Sequence, residues 1–116
     1  MRNNSNFGTL IEKDIYKNHF DIGTKFQKLV WKEIAKIPNG KVITYQDLAF
    51  KINRPKSVRA VASACSKNPF LPEVPCHRVV RKDGSLGGYN AKGGVNKKKK
   101  LLQNEGHKFV KDKIIF

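Results

Sequence analysis

The chain has 116 residues, and 24 Lys or Arg against 9 Asp or Glu give it a formal net charge of +15. This length predicts a single domain, and an apolar fraction of 39% is enough for one modest core. Uninterrupted apolar runs are only a few residues long, so neither a membrane span nor a signal peptide is expected. We therefore expect a soluble intracellular protein, located in the cytoplasm or nucleoid, or in the nucleus if the source is a eukaryote.

The excess of positive charge predicts a polyanionic partner. Nucleic acid is favoured over a membrane surface because the sequence contains no broad amphipathic basic helix. A basic, solvated surface without any partner is the alternative that charge alone leaves open.

The first part of the chain predicts an arm followed by a helix. Residues 1–22 are polar and irregular, which is typical of a loose arm. A helix that stops at the Pro38-Asn39-Gly40 turn is predicted by apolar residues at helical spacing, namely Phe26, Leu29, Val30, Ile34 and Ile37.

Two short helices follow. Thr44 with Asp47 three residues later predicts a capped helix that runs to about Ile52. After a break at 53–56, a second helix is predicted to run to about Lys67, and the pair indicates a helix-turn-helix. The second helix is rich in small side chains, which either let its backbone approach a nucleic-acid groove or pack against the first helix.

The rest of the chain predicts loops, short strands and one more helix. The proline-rich loop 68–75 leads into a short β-like run that ends at the turn 81–84. The glycine-rich segment 87–94 can act as a lid. A final helix is expected over the lysine run 97–100 and closes near Gly106, and its lysines are expected to form a solvated face. The end of the chain predicts a strand or hairpin.

The adjacent pair Cys76 and His77 combines a nucleophile with a base. A thiolate is the attacking species, so a reactive cysteine needs a base or positive surroundings, and Arg78 and Arg81 add positive charge. Neighbours on a strand point to opposite faces, so a direct hydrogen bond would need a turn or a bridging water. A buried structural cysteine is the alternative. Both cysteines are expected to be reduced, and no ligand spacing indicates a metal.

These motifs, taken in order, resemble the O6-alkylguanine-DNA alkyltransferases, also called methylated-DNA-protein-cysteine methyltransferases. The resemblance runs from about residue 22 to 110 and concerns the family's C-terminal DNA-binding and active-site domain. It rests on Gly23-Thr24-x-Phe26-Gln27-x-x-Val30-Trp31, Ile37-Pro38-x-Gly40-x-x-x-Thr44-Tyr45, Arg59-Ala60-Val61, Lys67-Asn68-Pro69, Pro75-Cys76-His77-Arg78-Val79-Val80, Gly88-Tyr89, Leu101-Leu102 and Glu105-Gly106-His107.

The resemblance implies a mainly α single domain with short β elements and a winged helix-turn-helix-like fold. Residues 23–116 would form this domain, and 1–22 would be a vestigial or irregular arm, because the family's usual N-terminal domain, which resembles ribonuclease H, does not fit in 22 residues. The lid is about two residues longer than usual, because Asn90-Ala91-Lys92-Gly93-Gly94 stands where the family has a shorter Gly-Gly segment.

The resemblance also implies a suicidal DNA repair reaction. Cys76 would take the alkyl group from O6 of guanine, His77 would act as its base through a water, and Glu105 would orient His77. Asn68 would support the active-site turn, and Tyr45 would assist at the flipped nucleotide, near its phosphate or as a donor to the purine. No metal or organic cofactor is implied, and each molecule would act once.

The implied partner is double-stranded DNA that carries an alkylated guanine, bound through its minor groove by a monomer. Arg59 would fill the gap left by the flipped base, beside the small residues Ala60, Ala62 and Ser63. The substrate pocket would be formed by Val79, Tyr89, Asn90 and Cys65, although Cys65 is equally well explained as a packing residue.

Two other functions remain open at this point. Alkyltransferase-like proteins bind damaged DNA without the nucleophilic cysteine, so the presence of Cys76 argues against that function. A plain helix-turn-helix regulator would have a structural Cys76 and His77 pair and would recognise base sequence in the major groove.

Overall fold

The computed structural model describes residues 23–71, 73–89 and 91–116. The predicted arm 1–22 and the predicted pocket residue Asn90 lie outside these residues. The helices are α1 (Lys25–Ile34), α2 (Tyr45–Lys51), α3 (Val58–Ser66) and α4 (Gly94–Asn104), with a short 3-10 helix at Cys76–Arg78. The strands are β1 (Ile43–Thr44), β2 (Val79–Val80), β3 (Phe109–Val110) and β4 (Lys113–Ile114).

Helix α1 begins with a capping box and ends earlier than predicted. The Thr24 hydroxyl accepts from the backbone of Gln27, whose side chain accepts from the Thr24 backbone in return. The helix ends at Ile34, before the predicted stop at Pro38. The residue before a proline is pushed out of the α region, so the chain leaves the helix before the ring is reached. Gly40 then turns the chain with φ +87°.

Helices α2 and α3 form the predicted helix-turn-helix. The Thr44 hydroxyl accepts a hydrogen bond of 3.1 Å from the Asp47 backbone, which confirms the predicted cap. Asn53 has φ +60° in the connection between the helices. On α3, Val61, Ala64 and Cys65 are buried, so one face of this helix packs into the core.

The segment around Cys76 differs from the sequence prediction. Only Val79 and Val80 form a strand, and they pair in parallel with Ile43 and Thr44. Residues 76–78 form a 3-10 turn instead of extended chain, since the Arg78 backbone bonds to the Pro75 carbonyl at 2.9 Å. The strand rule that would place Cys76 and His77 on opposite faces therefore does not apply.

Helix α4 and the final hairpin agree with the sequence except at one lysine. Strands β3 and β4 pair antiparallel, which confirms the predicted hairpin. Lys98, expected on a solvated face, is 1% exposed. It lies one turn before the buried Leu102, and this spacing places both residues on the inner face of the helix.

The buried side chains form two clusters joined by the segment 76–80. The larger cluster lies between α1, α2 and α3, and Cys76 and Val79 belong to it. The smaller one contains Val80 with Leu86, Leu102 and Ile114. This mainly helical domain with short strands confirms the predicted fold class. None of the helices in the described part of the chain is long and apolar enough to cross a membrane.

Trp31 provides a test of the packing of α1 on α3. Its indole Nε1 donates to the Ala64 carbonyl at 2.9 Å, and the side chain is 2% exposed. We expect Trp31→Phe to lower the free energy of unfolding by about 1–3 kcal/mol, because a buried hydrogen bond and part of a packed ring are lost. Urea unfolding followed by circular dichroism measures this. Leu29→Ala, at a 42% exposed position of the same helix, is the control and should cost under about 0.5 kcal/mol. Equal stability of Trp31→Phe and the wild type would show that the Trp31 hydrogen bond and ring packing do not stabilise the contact between α1 and α3.

Candidate active site

The Cys76 thiol lies at a junction of three segments. Its side chain is 5% exposed and belongs to the 3-10 turn that precedes β2. The Asn68 amide nitrogen donates to Cys76 Sγ at 3.0 Å, and Sγ lies 3.4 Å from the Cys65 carbonyl oxygen. The end of α3, the loop after it and the 3-10 turn thus meet at this sulfur.

Asn68 braces the loop that leads to the thiol. The same amide nitrogen donates to the Val74 carbonyl at 2.8 Å, and its oxygen accepts from the Phe70 backbone at 2.8 Å. Asn68 is 1% exposed, so these bonds are shielded from water. One amide therefore fixes both ends of the loop and the position of Sγ.

His77 belongs to a chain of charged groups on the other side of the turn. Its Nε2 lies 2.8 Å from Glu105 Oε2, and the same carboxylate accepts from Arg78 at 3.0 Å and 2.9 Å. Because the carboxylate is an acceptor, Nε2 carries the proton and Nδ1 is left with a free lone pair. Nδ1 is buried and has no hydrogen-bond partner among the described residues. The imidazole is therefore oriented to accept a proton at Nδ1.

The environment shifts the pKa values of Cys76, His77 and Glu105 below their ordinary values. A hydrogen bond from Cys65, with help from Asn68 and Lys98, holds the pKa of the Cys76 thiol below its ordinary value despite burial. Burial lowers the pKa of His77, although Glu105 partly opposes this. Burial would raise the pKa of Glu105, but the hydrogen bonds from Arg78 and His77 outweigh it and keep the carboxyl ionised.

Tyr45 and Lys98 form a second polar group beside the thiol. Lys98 Nζ donates to the Leu86 carbonyl and lies 3.4 Å from both Tyr45 Oη and the Gly88 carbonyl oxygen. Burial lowers the pKa of Lys98 to about 8 and raises that of Tyr45. A Cβ at Gly87 would lie 3.1 Å from Tyr45 Oη, so a glycine lets the start of the lid approach closely.

A cavity of about 580 Å³ opens above these groups. Its walls come from α2, α3, the 3-10 turn and the lid, and they include Tyr45, Arg59, Ala62, Cys65, Cys76 and Tyr89. The Tyr89 ring also meets the His77 ring edge-on, with centroids 6.4 Å apart. A flat aromatic group that entered the cavity would therefore reach the thiol beneath a tyrosine.

The structure brings most of the residues singled out in the sequence to this cavity or directly behind it. Asn68, His77 and Glu105 lie behind the thiol, and Val79 is fully buried in β2. On α3, Arg59, Ala60 and Ser63 are exposed and Ala62 is half-buried, whereas the buried face packs inward. The small residues of this helix therefore fit both interpretations of the sequence. One face packs into the core, and the other face is exposed and open to a nucleic-acid groove.

Two residues of the site were missed in the sequence. The sequence indicates Arg78 only as a nearby positive charge, but it forms two hydrogen bonds with Glu105 and donates a third to the Ile37 carbonyl at 2.7 Å. Lys98, which the lysine run predicts on a solvated face, is buried. Its spacing of four residues from Leu102 was the signal that placed it inside.

Comparison with known proteins identifies related chains. The family model described as 6-O-methylguanine DNA methyltransferase, DNA binding domain, matches residues 25–107. The chain is 52% identical over 83 residues to the bifunctional transcriptional activator/DNA repair enzyme Ada of Escherichia coli, covering 72% of this chain and 23% of that protein. It is 49% identical over 83 residues to the inducible methylated-DNA–protein-cysteine methyltransferase of Bacillus subtilis, covering 72% and 45%. It thus spans between about a quarter and half of the length of these relatives.

Two solved structures in complex with DNA have the same fold. The chain superposes on Mycobacterium tuberculosis OGT in complex with DNA with a TM-score of 0.68 and 44% identity, covering 72% of this chain and 50% of that one. It matches Schizosaccharomyces pombe Atl1, in complex with damaged DNA containing O6-carboxymethylguanine, with a TM-score of 0.66 and 29% identity, covering 74% and 80%.

The Glu105 carboxylate makes a testable contribution to stability. Its pKa is lowered in the folded state, so the stabilisation is present above the pKa of the unfolded chain and is lost as the pH falls through the folded pKa. We expect Glu105→Gln to cost about 2–4 kcal/mol at pH 7, because Arg78 loses its charged partner. Urea unfolding at neutral pH and near pH 3.5 should find that this difference shrinks in acid.

The control for this experiment is Glu33→Gln. Its carboxylate forms a surface ion pair with Lys36 at 3.6 Å, so the substitution should change stability by less than about 0.5 kcal/mol. A cost of Glu105→Gln that is the same at both pH values would contradict the role given to this carboxylate.

Proposed function

The chain belongs to the family of the 6-O-methylguanine DNA methyltransferase DNA-binding domain, and on this premise we propose that it is a DNA repair protein that transfers an alkyl group from O6 of guanine to its own Cys76. The observation that carries the proposal is the state of Cys76: its sulfur faces the cavity, accepts a hydrogen bond from Asn68 and has a lowered pKa. A thiol that only filled the core would need no such donors.

The proposed substrate is duplex DNA with the damaged nucleotide turned out of the stack. A protein sulfur does not reach O6 in line inside a duplex, so the nucleotide is extruded at a cost of a few kcal/mol. The exposed face of α3 is suited to the minor groove because Ala60 and Ser63 are small. Arg59 lies on this face and lines the cavity, so its side chain takes the place of the flipped base.

The transfer begins when Cys76 loses its proton. His77 Nδ1 accepts this proton through one water molecule, and Glu105 stabilises the imidazolium that forms. The sulfur then attacks the alkyl carbon, the S–C bond forms, and the bond from that carbon to O6 breaks. The carboxylate does not need to take up the proton itself, because its pKa is low.

Groups around the cavity assist the departure of guanine. Burial raises the pKa of Tyr45, so its hydroxyl keeps a proton and donates it to the purine as negative charge develops. Guanine then leaves as a neutral base. Tyr89 covers the base from the lid, and the Val79 backbone contacts the guanine edge.

The product explains why the reaction is stoichiometric. An S-alkylcysteine is a thioether. To remove its alkyl group, the Cys76 thiolate would have to act as the leaving group, and a thiolate is a poor leaving group from an alkyl carbon. Nothing in the proposed site removes the alkyl group from Cys76. Each molecule, acting as a monomer, therefore repairs one base.

The first test measures the mass of the protein after incubation with a duplex that contains O6-methylguanine. We expect one methyl group per molecule, carried by the tryptic peptide 68–78, which contains Cys76. Cys76→Ser should lose transfer by at least about a thousandfold and still bind the duplex. An unmodified Cys76 in a folded protein that binds the duplex would contradict the proposal and favour a damage-binding protein.

The second test concerns Arg59. If its side chain replaces the flipped base, Arg59→Ala should slow transfer from a duplex by about tenfold or more, with a smaller effect on single-stranded substrate, since each 1.4 kcal/mol corresponds to tenfold. Arg54→Ala, in the turn before α3, is the matched control. It removes the same charge from an exposed site, so any effect should be limited to salt-dependent binding. Equal losses on both substrates would contradict base replacement by Arg59.

A further inference from the structure

The two cysteines lie together although they belong to different elements. Cys65 is in the last turn of α3 and Cys76 is in the 3-10 turn, 11 residues later. Cys76 Sγ lies 3.4 Å from the Cys65 carbonyl oxygen, so the two residues are in direct contact. Both are free and buried, at 6% and 5% exposure, and both line the cavity. In the proposed alkyl transfer only Cys76 forms a bond to the alkyl group, and the Cys65 thiol stays unreacted beside it.

The pair is chemically asymmetric. The interaction between the two side chains lowers the pKa of Cys76, whereas the same interaction and burial raise the pKa of Cys65. Cys76 is thus the group that gains thiolate character, and Cys65 holds a proton beside it. A low-pKa thiolate with a second thiol in contact is the arrangement found in cysteines that react with peroxides and are then resolved as disulfides.

We propose that Cys65 is a resolving thiol and that a hydroperoxide converts the pair into a reversible Cys65–Cys76 disulfide that switches off alkyl transfer. This step goes beyond the repair reaction and needs no DNA. The oxidant is a small hydroperoxide, which enters through the cavity that both sulfurs line.

The reaction has two steps. The Cys76 thiolate attacks a peroxide oxygen, so an S–O bond forms, the O–O bond breaks, and the released oxygen leaves as water or an alcohol after protonation. The Cys65 sulfur then attacks the sulfenic sulfur, the S–S bond forms, and hydroxide leaves with the Cys65 proton as water. The two sulfurs lose two electrons, and the peroxide oxygens gain them.

The first step prepares the second. The hydrogen bond to Cys76 is the largest cause of the raised pKa of Cys65, and a sulfenic acid is neutral. Once Cys76 is oxidised, its negative charge no longer opposes the ionisation of Cys65. The buried ammonium of Lys98, which favours the thiolate at both positions, remains in place.

The consequence is protection of a nucleophile that can be used only once. A lone sulfenic acid is open to a second peroxide, which gives a sulfinic acid that reducing thiols do not reverse. With Cys65 in contact, the sulfenic acid is consumed within the molecule. A reductant then restores both thiols, so exposure to peroxide suspends repair without destroying the protein.

The experiment treats the purified protein with hydrogen peroxide and measures intact mass, tryptic peptides and subsequent transfer from O6-methylguanine DNA. Trypsin separates the cysteines into peptides 60–67 and 68–78. We expect a loss of two hydrogens, a disulfide between these two peptides, and loss of transfer that dithiothreitol reverses. The disulfide is read without DNA, so its absence is distinguishable from a failure of the alkyl-transfer proposal.

The controls are Cys65→Ser and Cys65→Ala, each compared with its own untreated sample. After peroxide and dithiothreitol, the wild type should recover at least about fivefold more of its starting activity than either variant, whose Cys76 proceeds to the sulfinic acid. Cys65→Ala is included so that the comparison still stands if Cys65→Ser misfolds. Dithiothreitol-resistant oxidation of Cys76 at the same rate in all three proteins, disulfides only between molecules, or no oxidation would each overturn the proposal.

Discussion

At the C-terminal end of α4, the Glu105 carboxylate accepts hydrogen bonds from both His77 and Arg78, and Arg78 also reaches the Ile37 carbonyl. This contact joins the last helix, the 3-10 turn and the segment that follows α1. Pro38 contributes indirectly, because it ends the helix before Ile37 and so leaves that carbonyl free of helical bonds. The orientation of the His77 ring therefore depends on a turn that is distant in the sequence.

The order of the elements could be predicted from the sequence, because caps, glycines and apolar spacing act locally. Thr44 capped its helix as predicted, and the chain turned at Gly40. The 3-10 turn at Cys76 was missed because a three-residue segment has no periodicity of its own. What holds it is the Asn68 side chain, which bonds to the sulfur from eight residues away. Such a turn depends on tertiary contacts and not on the propensity of its residues.

The residue types of the site could be identified from the sequence, but the hydrogen bonds that connect them could not. A run of four lysines is typical of a solvated face, and only the position of Lys98 relative to Leu102 distinguished it from its neighbours. Burial of this ammonium is tolerated because three oxygens of Tyr45, Leu86 and Gly88 surround it. Two of these acceptors are backbone carbonyl oxygens and the third is a phenol oxygen. Nothing in the sequence indicates that these three oxygens lie together, because only the fold brings them to one place.

The hydrogen-bond donors around Cys76 have two opposing effects on its reactivity. Burial disfavours a thiolate, and hydrogen bonds from Cys65 and Asn68 reverse that effect. A thiolate stabilised in this way is also a weaker nucleophile, since nucleophilicity falls as the pKa falls. The proposed alkyl transfer therefore depends on orientation, since a base bound in the cavity would present its alkyl carbon in line with the sulfur. The O–O bond of a hydroperoxide must also lie in line with the attacking sulfur, but so small a molecule can turn within a cavity of about 580 Å³. The proposed oxidation therefore needs no bound base, which makes the position of Cys65 beside Cys76 consequential.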